Sequence, residues 1–361
     1  MSDVTILGGG NTAFSVAANL THKGHRVTLW EIPSFEHTLD PIRRTNEINL
    51  VGVEEQGLAK IHHLTTDVKE ALAFTDLVLV IVPAYAHDAF IEVSTPHVTI
   101  DHTIVLMPGN LGALAWSKAL RDAGAQLPTL AEVDTAPYVC RKTEPDTATI
   151  WGTVTALGLG VLPHTSTDQV RARLDELFPG VTTHPDVAAC GLSAMNPVVH
   201  PAGVLMNAGR VEYSRGDFYF YDEGVSPTVA RVIMQVDAER QAVGRALGYD
   251  LKPANETFHD AGFGPKGDLW SAINGSRMLT ALRAPGSLES RWLTEDIPYG
   301  LASWSSIGAQ YGVETPTMDA FINVGSIAMG FDGWEASRGV DRLGIKDLSL
   351  DQLKTFLTDG Q

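Results

Sequence analysis

The chain has 361 residues, is 44% hydrophobic and 19% charged, and carries a net charge of −17 from 43 acidic and 26 basic residues. That length holds about two domains of roughly 150 residues, and with no basic patch to grip phosphates, neither nucleic acid nor an anionic membrane is expected as a partner. The longest apolar run, near Leu77–Ala86, is too short to span a bilayer, no basic segment precedes the first apolar run as a signal peptide would require, and Cys140 and Cys190 make neither a disulfide framework nor a zinc motif; a cytoplasmic α/β enzyme without a metal site is expected.

In chain order, Val4–Leu7 reads as a strand, Gly8-Gly9-Gly10 as a turn, and the next residues as a helix that Gly24 stops. Arg26–Trp30 then reads as a second strand ending at Glu31, completing a βαβ unit of roughly 30 residues. Leu77–Val82 and Thr103–Met107 are continuous apolar runs that fit buried parallel strands, and Leu127–Val133 reads as a further one. Asp168–Phe178 has the pattern of an amphipathic helix. Beyond Cys190 strand-like runs become scarce, and Ala194–Val211, Val225–Leu247, Asp268–Leu282 and Thr317–Gly330 read as helices. The expected architecture is an N-terminal Rossmann domain (1–185), a doubly wound parallel sheet, followed by a mostly α-helical domain (186–361).

Gly8-x-Gly10-x-x-Ala13 between strand and helix matches the dinucleotide fingerprint. Its small residues permit the tight turn, the approach of backbone to pyrophosphate, and close helix packing. The amides of Asn11 and Thr12 would open the helix, whose N-terminus attracts phosphate. Glu31, at the end of the next strand, suits the adenosine ribose hydroxyls and favours NAD, while nearby Arg43 and Arg44 leave NADP open. Pro83 and Ala84 follow one buried strand and Asn110 follows the next. Loops at those strand ends line the ligand crevice of such a sheet, although ordinary tight turns would read the same way.

In the second half, Asn196-Pro197, His200-Pro201 and Asn207 share one helical stretch that the prolines break or kink. His200 suits general acid chemistry, since imidazole titrates near neutrality, and Asn207 is a candidate for a hydrogen bond to substrate or cofactor. In the stretch Arg291–Gly300, Arg291 suits bidentate capture of a carboxylate and Asp296 could orient a histidine; a surface ion pair would use the same residue types. Tyr221 ends an aromatic run, Phe218–Tyr221, that would equally well wall a substrate pocket or pack between domains, and Cys140 either lines a crevice or is an inert buried thiol.

With these residues assembled, the chain resembles the opine dehydrogenases, the octopine/nopaline dehydrogenase family, over nearly its whole length. The specific markers are Asn196–Pro201 with Asn207-Ala208, Tyr221–Pro227, Val236–Arg240, and Arg291 with Glu295–Leu301. The resemblance implies a helical second domain like that of 6-phosphogluconate dehydrogenase. It also implies NAD(P)-dependent reductive condensation of an amino acid or amine with a 2-oxo acid, and the reverse oxidation. It makes His200 the catalytic histidine, Asp296 its acidic partner and Arg291 the carboxylate anchor. The loop Gly8-Gly9-Gly10-Asn11-Thr12-Ala13 departs from the Gly-x-Gly-Asn-Gly-Gly type expected of that family. The partners expected are small molecules, with a homodimer and a monomer both open. Three alternatives stand beside this reading: a ketopantoate-reductase-like enzyme, an imine reductase, and a non-catalytic dinucleotide sensor. The first needs a catalytic lysine, for which the second half offers only Lys252, Lys266, Lys346 and Lys354.

Overall fold

In the computed structural model, which describes residues 1–360, the chain forms two compact units. One holds residues 1–191 together with the C-terminal residues from Lys354; the other holds Leu192–Leu353. The first unit runs β1 (Asp3–Leu7), α1 (Asn11–His22), β2 (Arg26–Trp30), β3 (Glu47–Gly52), β4 (Gly57–Lys60), β5 (His63–Thr65), α2 (Val68–Phe74), β6 (Leu77–Val80), α3 (His87–Ser94), β7 (Thr103–Leu106) and α4 (Gly112–Asp122). It continues with β8 (Thr129–Val133), β9 (Tyr138–Glu144), β10 (Thr147–Thr153), β11 (Gly158–Leu162), α5 (Thr167–Leu177), β12 (Thr182–Thr183) and α6 (Val187–Gly191).

Eight strands form the main sheet in the order β12-β11-β8-β7-β6-β1-β2-β5. All neighbours in it are parallel except β8 and β11. Every residue of β6 and β7 is buried, which is why both read as unbroken apolar runs. The strand order reverses between β1 and β6, so the loops that leave these two strands flank the switch point where such sheets bind ligands.

A second sheet, β4-β3-β10-β9, covers α1 from the other side. Its Ile48, Leu50, Ala59, Ala148 and Ile150 share one core with Phe14, Val16, Ala17 and Leu20. All of α1 from Ala13 to Leu20 is therefore buried, including Asn19, whose amide donates to the Tyr138 hydroxyl at 2.6 Å.

In the helical unit, the stretch read as one helix is two, α7 (Asn196–Leu205) and α8 (Ala208–Ser214). Asn207 leaves helical geometry between them, at φ −117° and ψ 15°. The stretch Asp268–Leu282 likewise divides into Leu269–Asn274 and a short 3₁₀ turn, Leu279–Ala281. The long helix α9 (Pro227–Leu247) starts where the Ser226 hydroxyl accepts from the Val229 N–H and stops at Gly248 in the left-handed region. Its motif residues hold the bundle. Buried Arg240 pairs with Asp237 and donates to the carbonyls of Leu192 and Lys252, and Glu239 accepts from the N–H groups of Thr317 and Met318 at the start of helix Pro316–Met329. Removing one partner of such a buried ion pair costs about 3–5 kcal/mol.

Candidate active site

In the first unit, Gly8 sits at φ +125°, and a Cβ there would lie 2.6 Å from the Ile81 carbonyl oxygen, so the turn requires glycine. A Cβ on Gly9 would meet the Thr38 hydroxyl at 2.4 Å and the Glu31 carboxylate at 2.9 Å. Gly10 differs: a Cβ there would meet nothing within 4 Å. The backbone at Gly10 thus faces open space where α1 begins with unsatisfied N–H groups, the arrangement a pyrophosphate needs.

Glu31 closes one side of this loop. Its carboxylate accepts from the Gly9 N–H at 2.6 Å and the Ile32 N–H at 2.8 Å. Burial pushes its pKa up, against the pull of those hydrogen bonds. Asn11 accepts the Lys142 N–H through its side chain at 2.9 Å, tying β9 to the first turn of α1. Pro83 and the buried Ala84 follow β6. Asn110 lies in the loop between β7 and α4 at φ +48° and is buried. The fully buried Glu132 accepts from the N–H groups of Leu111 and Ala113 and so caps α4. In the sequence it is simply a strand residue, and nothing there points to this duty.

In the helical unit, α7 and the stretch Arg291–Leu301 bring His200 and Asp296 together. The His200 Nδ1 lies 2.8 Å from the Asp296 carboxylate, and both side chains are buried. The Nε2 lies 3.1 Å from the Tyr221 hydroxyl. An Nδ1–H donated to the carboxylate leaves Nε2 as the nitrogen that faces the Tyr221 hydroxyl. Burial pushes the Asp296 carboxyl up to about 6, although its hydrogen bond to His200 favours the ionised form, and burial also raises Tyr221. The indole of Trp292 stacks on the imidazole, with centroids 4.2 Å apart and planes 5° apart. Phe220 meets Trp292 edge-on at 4.7 Å. The imidazole is therefore fixed by hydrogen bonds at both ring nitrogens and by an indole on its face. In the sequence Trp292 is one aromatic within the stretch Arg291–Gly300, and nothing there points to this duty.

Residues 183–329 match the family model for the α-helical domain of NAD/NADP octopine/nopaline dehydrogenases, and residues 3–111 match that for the N-terminus of NAD-dependent glycerol-3-phosphate dehydrogenase. An opine dehydrogenase of Arthrobacter sp. (strain 1C) is 28% identical, the match covering 95% of both chains. The chain is similar to the opine dehydrogenases over nearly its whole length. The family's helical-domain match spans His200, Tyr221, Arg291 and Asp296. A further relative, the protein ocs of Agrobacterium vitis, is 26% identical over 96% of each chain. An octopine dehydrogenase solved with NADH and L-arginine superposes with a TM-score of 0.79, at 21% identity, over 100% of this chain and 98% of that one. The Rossmann and helical fold expected from the sequence is thus the fold of this family.

Other expected site residues have different surroundings. The amide of Asn207 donates to the carbonyls of Gly203 at 2.8 Å and Gly224 at 3.0 Å, bracing α7 against the turn Phe220–Gly224 that carries Tyr221. Both amide protons are therefore engaged by the fold and not offered to a ligand. Cys140, on β9, packs into the core against α1, its Sγ 3.7 Å from the Thr12 hydroxyl, with its thiol pushed up by burial. Arg291 is more than half exposed and donates to buried Glu295 at 2.6 Å. Two of the four lysines named for a simple reductase are engaged in exposed ion pairs, Lys252 with Asp260 and Lys346 with Asp341. Among the described residues no group of three or more His, Cys, Asp or Glu is arranged to hold a metal, and no helix is long and apolar enough to cross a membrane.

Proposed function

We propose that this protein is an opine dehydrogenase that condenses the amino group of an amino acid with a 2-oxo acid, using NADH, and catalyses the reverse oxidation. The observation that carries the reading is the buried His200–Asp296 pair, with its second imidazole nitrogen turned to Tyr221. Its relatives support the chemistry: one is an opine dehydrogenase, and the octopine dehydrogenase of the same fold was solved with NADH and an amino acid.

The open backbone at Gly10, the first-turn amides of α1 and the Glu31 carboxylate fit a dinucleotide, and Pro83, Ala84 and Asn110 line the remaining strand ends. When bound, the reduced nicotinamide supplies a hydride. The chain's own residues supply the protons. Condensation of amine and carbonyl expels water, which takes one proton on the departing oxygen and leaves a C=N bond protonated on nitrogen; hydride addition to its carbon then gives the secondary amine, so the reaction consumes one proton. His200, protonated at Nε2, is placed to give that proton and to take it back in the oxidative direction. Asp296 holds the Nδ1–H, fixes the tautomer and stabilises the imidazolium. The stacked indole of Trp292 keeps the ring from turning. We assign Arg291 to the 2-oxo acid carboxylate, because its guanidinium is the exposed cation of the segment that carries Asp296. We further propose a cytoplasmic setting, supported by two cysteines that are both free.

The test is a matrix of 2-oxo acids with and without amino acids or simple amines, followed by loss of nicotinamide absorbance. Turnover that requires both partners supports the reading. Equal turnover with the oxo acid alone would place the protein among simple reductases.

A further inference from the structure

We propose that Lys142 is a cofactor-selecting residue, whose ammonium lets the ribose pocket beside Glu31 accept a 2′-phosphate, so that the chain binds NADPH as well as NADH. This rests on the dehydrogenase reading above.

A buried carboxylate at the end of β2 should repel a 2′-phosphate, and Glu31 is 5% exposed. A cation must therefore stand close by if the phosphorylated cofactor is to bind. The sequence offers Arg43 and Arg44, but Arg43 is engaged with Asp40 at 3.1 Å and Glu36 at 3.4 Å on an exposed turn, and Arg44 is exposed beside it. The cation that reaches the pocket comes instead from β9, in the second sheet. The Lys142 ammonium lies 3.4 Å from the Gly9 carbonyl and 3.3 Å from the Thr38 carbonyl. Gly9 and Thr38 are also the residues whose N–H and hydroxyl approach the Glu31 carboxylate. Glu31 and Lys142 thus share one cage and favour each other's charge.

Lys142 is also poorly neutralised. Its stem is half-buried, its ammonium stands 3.5 Å from the centre of the Phe14 ring, and among the described residues it forms no ion pair. Its partners are neutral carbonyls and a π face. A half-buried ammonium without a carboxylate in contact, at the mouth of a phosphate-binding loop, is a site for an added anion. Its backbone is fixed there as well, because the Lys142 N–H donates to Asn11 at the first turn of α1. With Lys142 the pocket holds one negative and one positive charge. A ribose hydroxyl can bond to Glu31, and a ribose phosphate can pair with Lys142.

The experiment titrates NADH and NADPH against the full-length protein by fluorescence, for the native chain, Lys142→Met and Lys142→Arg. Methionine keeps the apolar stem over Phe14 and removes the charge. The native protein should bind both cofactors. In Lys142→Met the ratio of NADPH to NADH affinity should fall about tenfold or more, the loss expected for one charge-assisted contact to phosphate, and Lys142→Arg should restore much of it. An unchanged ratio, whether both affinities hold or both fall together, overturns the proposal. So does native protein that binds NADH but not NADPH. Competition by 2′,5′-ADP against 5′-ADP on the native chain gives the same answer without a variant: the extra 2′-phosphate should improve binding, and no improvement overturns the idea. Native protein that binds neither cofactor would instead overturn the dehydrogenase reading itself.

Discussion

Gly10 offers a way to separate the fold of the phosphate-binding loop from its use. Its φ of −79° is open to any residue, and a Cβ there touches nothing. Replacing it with alanine removes chain freedom from the unfolded state, a gain of about 0.4–1 kcal/mol. Alanine is a poorer N-cap than glycine, a loss of up to about 1 kcal/mol. The two nearly cancel, so Gly10→Ala without cofactor should melt within a few degrees of the native protein. The added methyl group fills the space a pyrophosphate must enter. Loss of one charge-assisted hydrogen bond, about 1.5–3 kcal/mol, should raise the NADH dissociation constant roughly 10- to 100-fold. Thermal melting without cofactor and fluorescence titration with NADH measure the two effects separately. Gly8→Ala is the control, because its Cβ meets backbone at 2.6 Å in a left-handed conformation, so it should lower the melting temperature outright. Gly10→Ala protein with native NADH affinity would refute the claim that phosphate meets the backbone there.

The remaining predictions concern the helical unit. His200→Asn should lower kcat roughly a hundred- to ten-thousand-fold in steady-state assays; a near-native kcat would remove His200 from the chemistry. Asp296→Asn should lower kcat roughly a thousandfold or more, yet gain on the native protein in stability as pH rises. Burial lifts the Asp296 carboxyl from its ordinary 3.8 to about 6, so the folded state binds more protons between those values. Its stability therefore falls as pH climbs through that window, by about 3 kcal/mol. Denaturation near pH 4 and pH 7 checks this, and a gap between variant and native that does not change with pH contradicts it. Arg291→Met should raise the KM for the 2-oxo acid more than it lowers kcat. An effect on melting temperature alone would assign Arg291 to its ion pair with Glu295.

The centre of the main sheet was legible because continuous apolar runs and a Gly-rich turn are local signals: β1, α1, β2, β6, β7 and β8 lie where the sequence puts them to within two or three residues, whereas β5, β11 and β12 lie outside the segments read as strands. The second sheet was not, because β3, β4, β9 and β10 are part-exposed strands whose pairing joins segments far apart, such as Asn49 with Thr147. One hint was available. The run Ala13–Leu20 is nearly apolar around its full circumference, and such a helix needs cover on every side. His200 and Asp296 lie 96 residues apart, and no spacing rule joins them; their pairing was expected only from the family resemblance. Asn207 and Cys140 show the converse. Their chemistry suits a ligand site, but which groups their atoms meet is decided by the packing of Gly224 and of α1.

Layering α1 between two sheets also bears on how quickly and cleanly a cofactor can engage. A recognition loop that must be assembled around its guest loses affinity to the disorder it gives up. Here the helix behind the loop is locked on two sides, and the loop itself is tethered by Glu31 and by Lys142. The docking surface therefore exists before the guest arrives, and the hydrogen-bonded amides of the buried part of α1 behind it should be among the last in the chain to exchange with deuterated solvent.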